Sequence, residues 1–148
     1  MCAGVLVPRG QNSYGQLGDN STVDRNALPS SPVITDVTAL AAGASFTCAL
    51  MSSTGLRCWG SNFFGQLCDG STISALTPPL IDTLTGVVAI AAGNEHMCVL
   101  MLSGGVRCYG SNVSGQVCCS LISAELHISW SSWGSLVLRH TDCLNTRL

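Results

Sequence analysis

The chain has 148 residues, 47% of them hydrophobic and 9% charged, with a formal net charge of −2. Lysine is absent and the six arginines are scattered, which excludes a basic surface for nucleic acid. The apolar content excludes a disordered chain, and no apolar stretch reaches the roughly 18 residues that a membrane-spanning helix needs. The first residues also lack the pattern of a secretory signal, because their arginine follows the short apolar stretch.

A repeat with a period of 50 residues organises most of the sequence. Residues 11–60 and 61–110, aligned without gaps, are identical at 22 of 50 positions. The segment 60–67 recurs at 110–117 and, in part, at 10–17. Repeats of this size are typical of propellers and solenoids. Residues 1–9 are interpreted as the end of a truncated or decayed repeat.

Within each unit the local signals are those of short β-strands separated by turns. The predicted strands are 36–42, 45–51 and 56–59 in the first unit, and 87–92, 96–102 and 106–109 in the second. Prolines punctuate the long connection between the units. Three to four short strands in each unit predict one propeller blade per unit.

The period is lost after Val117. The register demands Ala-Ala-Gly at 141–143, whereas the chain has Thr-Asp-Cys there. We therefore divide the chain into a truncated or decayed repeat end at 1–9, propeller-type repeats at 10–118 and an out-of-register tail at 119–148. A divergent end, a misread exon and a frameshifted translation all remain open as the origin of the tail.

The short motifs at 41–43, 46–50, 55–60 and 62–67, with their copies fifty residues later, resemble repeats of the regulator-of-chromosome-condensation family. The resemblance covers about residues 10–118 and implies an all-β fold, a partial β-propeller. In that family seven blades close a ring, so two full units plus partial ones cannot close it alone. Further repeats or self-association would be needed. The family contains a nuclear exchange factor, binding scaffolds and a secreted β-lactamase inhibitor, so its fold does not fix a function.

Recurring glycines and amides are assigned a structural role. The glycines are expected to take positive φ where strands enter tight connections, and the Asn and Gln amides to bond loop backbone groups. A phosphate-binding glycine loop would need a strand-to-helix context that the sequence lacks. These signature positions are Gly10, Asn12, Gly15, Gln16, Gly43, Trp59, Gly60, Asn62, Gly65, Gln66, Gly93, His96, Gly110, Asn112, Gly115 and Gln116.

Two cysteine pairs lie symmetrically about predicted turns. Cys48 faces Cys58 in a hairpin centred on Ser53, and Cys98 faces Cys108 in the equivalent hairpin. Opposed antiparallel residues have Cα atoms close enough for a disulfide. Buried reduced thiols are the alternative.

The remaining cysteines are interpreted as drift, because their number is odd and some of them stand where the family has Gly or Asp. A zinc site is the alternative, but the sequence has no Cys-x-x-Cys pair for it. These cysteines are Cys2, Cys68, Cys118, Cys119 and Cys143.

No catalytic constellation is found, and we expect no cofactor and no metal. His96 could act as a ligand or base, but Phe46 holds its position in the first unit, which favours packing. Trp59 and Tyr109 are equivalent and are expected in the core, with surface binding as the alternative. Asp19 and Asp69 are expected to form Asx-type turns.

The sequence thus predicts a non-enzymatic protein–protein interaction module whose partner is another protein. Its binding surface is placed in the Asn-x-x-Gly-Gln loops and in the connections 18–32 and 68–82, since propellers bind through loops. The alternatives are a guanine-nucleotide exchange factor for a small GTPase, an extracellular disulfide-stapled binding module and a non-functional gene fragment. Paired cysteines would favour an extracellular or envelope location, and free thiols a cytoplasmic or nuclear one.

Overall fold

The computed structural model describes residues 4–6, 8–28, 30–117, 129–130 and 136–137. Over these residues the chain is all-β, as predicted. The strands are β1 (Gly4–Leu6), β2 (Ile34–Ala42), β3 (Phe46–Met51), β4 (Leu56–Gly60), β5 (Val87–Ala92), β6 (His96–Met101), β7 (Val106–Gly110), β8 (Ser129–Trp130) and β9 (Leu136–Val137). No helix able to cross a membrane occurs in the part of the chain so described.

Two antiparallel sheets correspond to the two sequence units. The first has the order β1-β2-β3-β4 and the second the order β5-β6-β7, while β8 and β9 form a separate pair. Apart from the described pair β8-β9, the predicted tail at 119–148 lies outside the described residues. The division of the chain at 118 and the origin of the tail therefore stay predictions.

The register of both hairpins is the predicted one. Leu50 pairs with Leu56 and Cys48 with Cys58, and the equivalent residues of the second sheet pair in the same way. Strand ends differ from the prediction by one or two residues. β2 begins at Ile34 because this residue pairs with Leu6. β4 extends to Gly60 because this residue pairs with Phe46 of β3, and its backbone also exchanges two hydrogen bonds with Ala75.

The last residue of β1 pairs as the first residue of β4 does one repeat later. Leu6 pairs with Ile34, as Leu56 pairs with Leu84 fifty residues on. The interpretation of residues 1–9 as the end of a truncated or decayed repeat stays a prediction.

The main core lies between the two sheets. Phe46 and Leu56 of the first sheet pack with Met97 and Val99 of the second, all of them at most 1% exposed. A backbone hydrogen bond of 2.9 Å from Ala44 N to Asn94 O joins the sheets at the ends of their strands. A second, smaller core contains Val37, Ala49, Met51 and Trp59 on the opposite face of the first sheet. The two sheets are stacked like neighbouring blades of an unclosed propeller.

The glycine prediction is partly wrong. Gly10 and Gly15 have positive φ, of 125° and 76°, but Gly43 and Gly93 do not belong to this class. A Cβ on Gly43 would overlap the Phe46 ring, and one on Gly93 would overlap the His96 ring. These two glycines therefore serve close packing of a ring against the backbone and not an unusual backbone conformation.

Candidate protein-binding loops

A buried asparagine organises the loop at the start of the connection in the first two repeats. Asn12 is fully buried. Its Oδ1 accepts the Leu17 N–H at 2.9 Å, and its Nδ2 lies 3.0 Å from Ser21 O and 3.2 Å from Val23 O. One amide thus ties the short turn to the long connection behind it, which fixes the loop without a helix or strand.

The second repeat has the same arrangement. Asn62 Oδ1 accepts the Leu67 N–H at 2.9 Å, and Asn62 Nδ2 donates to Ser71 O at 3.1 Å. Gln66 Oε1 accepts the Phe64 N–H at 2.9 Å, as Gln16 does for the Tyr14 N–H.

In the third copy, the equivalent asparagine and glutamine accept the same two backbone hydrogen bonds. Asn112 Oδ1 accepts the Val117 N–H at 2.8 Å, and Gln116 Oε1 accepts the Ser114 N–H at 2.7 Å. Asn112 is exposed, unlike its two counterparts. The predicted role of these amides in bonding loop backbone groups agrees with this geometry.

An aspartate closes each connection, and its electrostatic surroundings differ between repeats. Ser21 N donates to Asp19 Oδ1 at 3.1 Å, and Ser71 N donates to Asp69 Oδ1 at 2.9 Å. These are the predicted Asx-type bonds. The Arg25 guanidinium forms an ion pair with Asp19, whereas Ala75 holds the equivalent position in the second repeat.

Hydrogen bonds lower the pKa of both aspartates. Burial acts to raise the pKa of Asp19, but the hydrogen bonds from Ser21, Arg25 and Asn12 outweigh it and lower the pKa to about 2. At Asp69, burial is likewise outweighed by hydrogen bonds from Ser71 and Asn62, and the pKa is lowered.

The tips of the first two loops carry exposed aromatic rings. Tyr14, Phe63 and Phe64 are 42%, 62% and 47% exposed. The rings of Tyr14 and Phe63 come from successive repeats, and they meet edge to face with centroids 5.8 Å apart. We name Tyr14, Phe63 and Phe64 the loop patch.

The contact between Tyr14 and Phe63 was not predicted from the sequence. The two residues do not hold equivalent positions, since Tyr14 corresponds to Phe64, so the period alone gives no pairing between them. Their common location, between the loop asparagine and the loop glutamine, was the available signal.

The cysteine pairs lie where the hairpin register predicts them. The sulfur atoms of Cys48 and Cys58 are at disulfide distance, and so are those of Cys98 and Cys108; in both pairs the Cα atoms are 4.1 Å apart. Met97 Sδ contacts the first pair, at 3.4 Å from Cys48 Sγ and 3.6 Å from Cys58 Sγ.

Cys68 is half-buried and not paired with another described cysteine. Burial raises the pKa of its thiol. It has a φ of 52° at the position where the first repeat has Gly18. Cys2, Cys118, Cys119 and Cys143 lie outside the described residues.

The other predicted positions serve packing. Trp59 is fully buried and donates its indole N–H to Gln16 O at 3.0 Å. Tyr109 is half-buried, and the His96 ring lies over Gly93 as Phe46 lies over Gly43. Among the described residues, no three His, Cys, Asp or Glu side chains converge as a metal site would require.

Comparison with known proteins identifies the repeats. A model of the regulator of chromosome condensation (RCC1) repeat matches residues 10–50 and 58–100, and a second model of that repeat matches 37–66 and 87–116. Comparison with curated proteins gives no match.

Solved structures show the same fold. Yeast RCC1 (Prp20) bound to Kap60 superposes with a TM-score of 0.59 and 20% identity, over 90% of this chain and 31% of that one. Prp20p from Saccharomyces cerevisiae gives a TM-score of 0.57 and 22% identity, over 88% and 32%. Human WBSCR16 gives a TM-score of 0.54 and 19% identity, over 75% of this chain and 32% of that one.

The chain thus spans about a third of the length of each of these structures, 31% or 32%. Their likeness shows the propeller fold, and the two repeat models together extend from residue 10 to residue 116. The chain belongs to the regulator of chromosome condensation (RCC1) repeat family.

Proposed function

We propose that this chain is a non-enzymatic protein–protein interaction module that binds its partner through the loop patch. The observation that carries the proposal is the exposed Tyr14–Phe63 pair, in which two successive repeats contribute one ring each. A surface assembled from two repeats exists only in the folded stack, as a recognition surface requires.

The loop patch has the physical properties of a binding surface. Tyr and Phe are both enriched in protein–protein interfaces, and Tyr also among the residues that dominate binding energy. Here the loops beneath them are held by the buried amides of Asn12 and Asn62. A pre-ordered loop loses little conformational entropy when it binds, which leaves more of the interaction energy for affinity.

The structural relatives support protein binding as the kind of function. Yeast RCC1 (Prp20) has been seen with Kap60 bound, and Prp20p has been studied for its binding to Gsp1p and histones. For this chain we carry over only the general role, binding to another protein.

The main rival is guanine-nucleotide exchange on a small GTPase. It is tested by release of a fluorescent nucleotide from a panel of small GTPases that includes Gsp1p. We expect no acceleration by this chain, because nothing in two generic repeats identifies a catalytic loop. Acceleration of release would overturn the non-enzymatic assignment.

Binding through the loop patch is tested by site-specific crosslinking. A photoreactive phenylalanine analogue replaces Phe63 in one variant and Leu102 in a matched control. Leu102 is 66% exposed in the hairpin turn at the other end of the strands. We expect a defined protein adduct at position 63, weakened when Tyr14→Ser removes the neighbouring ring, and none at position 102. Equal adducts at both positions would contradict the proposal.

A further inference from the structure

The connection of the first repeat contains the triplet Asn20-Ser21-Thr22, and a second triplet of the same kind is Asn112-Val113-Ser114. Asn-x-Ser/Thr, with a middle residue other than proline, is the acceptor sequence for N-linked glycosylation. We propose that Asn20 is an acceptor site for an N-linked glycan and that Asn112 is disfavoured. This proposal does not depend on the proposed function.

Asn20 presents its side chain to solvent. It is exposed and has a φ of 61°, a left-handed conformation that asparagine tolerates at loop tips. Its backbone N–H donates to Leu76 O at 3.1 Å, which holds the loop in place. Its side-chain amide makes no hydrogen bond to any residue in the described ranges, so Nδ2 is available for substitution.

The second repeat provides an independent view of the space around this position. Gly70 corresponds to Asn20 and has a similar φ of 78°. A Cβ added to Gly70 would meet no atom within 4 Å. The same point of the repeat is therefore open to solvent in both copies, as a bulky glycan requires.

The other two members of the triplet differ in their hydrogen bonding. Ser21 Oγ donates to Asp19 Oδ1 at 2.7 Å and serves the loop itself. Thr22 is exposed, and its hydroxyl bonds no residue in the described part of the chain. The third-position hydroxyl, which defines the acceptor triplet, is thus the accessible one.

Asn112 is the contrasting case. It holds the position of Asn12 and Asn62, whose Nδ2 atoms donate into the long connection behind the loop. Its Oδ1 already accepts the Val117 N–H at 2.8 Å. Asn112 is exposed, as Asn20 is, but unlike Asn20 its side-chain amide already holds the loop through this bond, so a glycan there would sit on a side chain that the loop uses.

The reaction is a transfer from a lipid diphosphate-linked oligosaccharide. The bond between the sugar C1 and the phosphate oxygen breaks, the bond between C1 and Asn20 Nδ2 forms, and the lipid diphosphate leaves. A base of the transferase takes the amide proton. The reaction occurs in a secretory compartment, where the Cys48–Cys58 and Cys98–Cys108 pairs can also oxidise.

The test uses the full chain, directed to the endoplasmic reticulum of cultured cells by an appended cleavable signal. Lumenal and secreted protein are pooled, and peptides are mapped before and after enzymatic removal of N-glycans. We expect glycan at Asn20, lost in both Asn20→Gln and Thr22→Ala and kept in Asn112→Gln. Loss in Thr22→Ala separates acceptor recognition from the removal of the asparagine itself.

Occupancy at the two asparagines decides the outcome. Higher occupancy at Asn20 than at Asn112 supports the proposal. An unmodified Asn20, or occupancy at Asn112 equal to or above that at Asn20, overturns it.

Discussion

The two sheets have the same strand register but differ in what covers them. In the first sheet, Cys48, Leu50 and Leu56 lie on a face that the second sheet covers, and none is more than 7% exposed. In the second sheet, the equivalent Leu100 and Val106 are half-buried.

The difference shows that burial in this fold is a property of the stack. The two hairpins are nearly the same locally, yet only the first has a neighbour on this face among the described residues. Stability in stacked repeats comes largely from such interfaces. The face of the second sheet around Leu100 and Val106 is therefore the place where a further repeat or another copy would add stability.

The largest effect is expected when the equivalent residues Leu50 and Leu100 are replaced by alanine, each in a separate variant. Leu50→Ala removes a core side chain and should lower the free energy of unfolding by about 2–5 kcal/mol, whereas Leu100→Ala should cost less than half as much. Chemical denaturation measures both. The measurement is repeated over a range of protein concentrations, because self-association would cover Leu100 and raise its cost. Equal costs in a strictly monomeric sample would refute the comparison.

The two cysteine pairs should respond differently to reductant. In each pair, the sequence separation is 10 residues, and closing such a loop contributes roughly 2.5–3 kcal/mol in the chain-entropy model. Cys58 is 2% exposed, whereas Cys108 is half-buried, so a dithiol reaches the second pair first.

Stepwise reduction followed by alkylation and peptide mapping checks this order. Protein purified without reductant should show both linked peptides, and Cys98–Cys108 should be alkylated earlier. Free thiols at all four positions in such protein would refute the pairing and favour an intracellular location.

Replacing the loop asparagine should also cost more unfolding free energy at Asn62 than at Asn112. Asn62→Ala leaves the Leu67 N–H and the carbonyl of Ser71 without a buried partner, which should cost about 1–3 kcal/mol of unfolding free energy. Asn112 is exposed, so water can replace its amide and Asn112→Ala should cost less. Thermal unfolding of the two variants checks this, and a larger loss for Asn112→Ala would contradict it.

Much of the fold could be predicted because each sequence unit could be compared with its copy fifty residues later. Symmetry about Ser53 and Ser103 gave the pairing of Cys48 with Cys58 and of Cys98 with Cys108, since a hairpin register follows from its turn. The strand start at Ile34 was missed because it depends on pairing with Leu6, a distant residue.

The candidate site was less predictable for a related reason. The hydrogen bonds from loop backbone groups to Asn12 and Gln16 could be predicted, because these contacts are local in sequence. The Tyr14–Phe63 contact depends on how one repeat sits on the next. Gly43 shows the same limit, since its need for a small side chain comes from the Phe46 ring and not from its own φ.

The smallest effect is expected in acid, from the connection aspartates. The pKa of Asp19 is lowered to about 2 from the ordinary aspartate value of 3.8, so its contribution to stability is present above pH 3.8 and is lost as the pH falls toward 2. The Arg25 side chain is 42% exposed, and solvent screening should therefore limit the contribution of the pair to about 1 kcal/mol. Asp69 has hydrogen bonds but Ala75 in place of the arginine, so Arg25→Ala should make the first connection resemble the second.

Unfolding free energies of the native protein, Arg25→Ala and Asp19→Asn at several pH values between 2 and 5 provide the measurement. Asp19→Asn should reduce the acid dependence to the part that Asp69 contributes, because one of the two titrating groups is gone. Arg25→Ala should reduce it less, since the hydrogen bonds from Ser21 and Asn12 to Asp19 remain. Asp69→Asn is the matched control, since it removes a carboxylate from the equivalent loop without breaking an ion pair with Arg25. If Arg25→Ala left the acid dependence unchanged, the hydrogen bonds alone would account for the low pKa, and the two connections would be electrostatically equivalent.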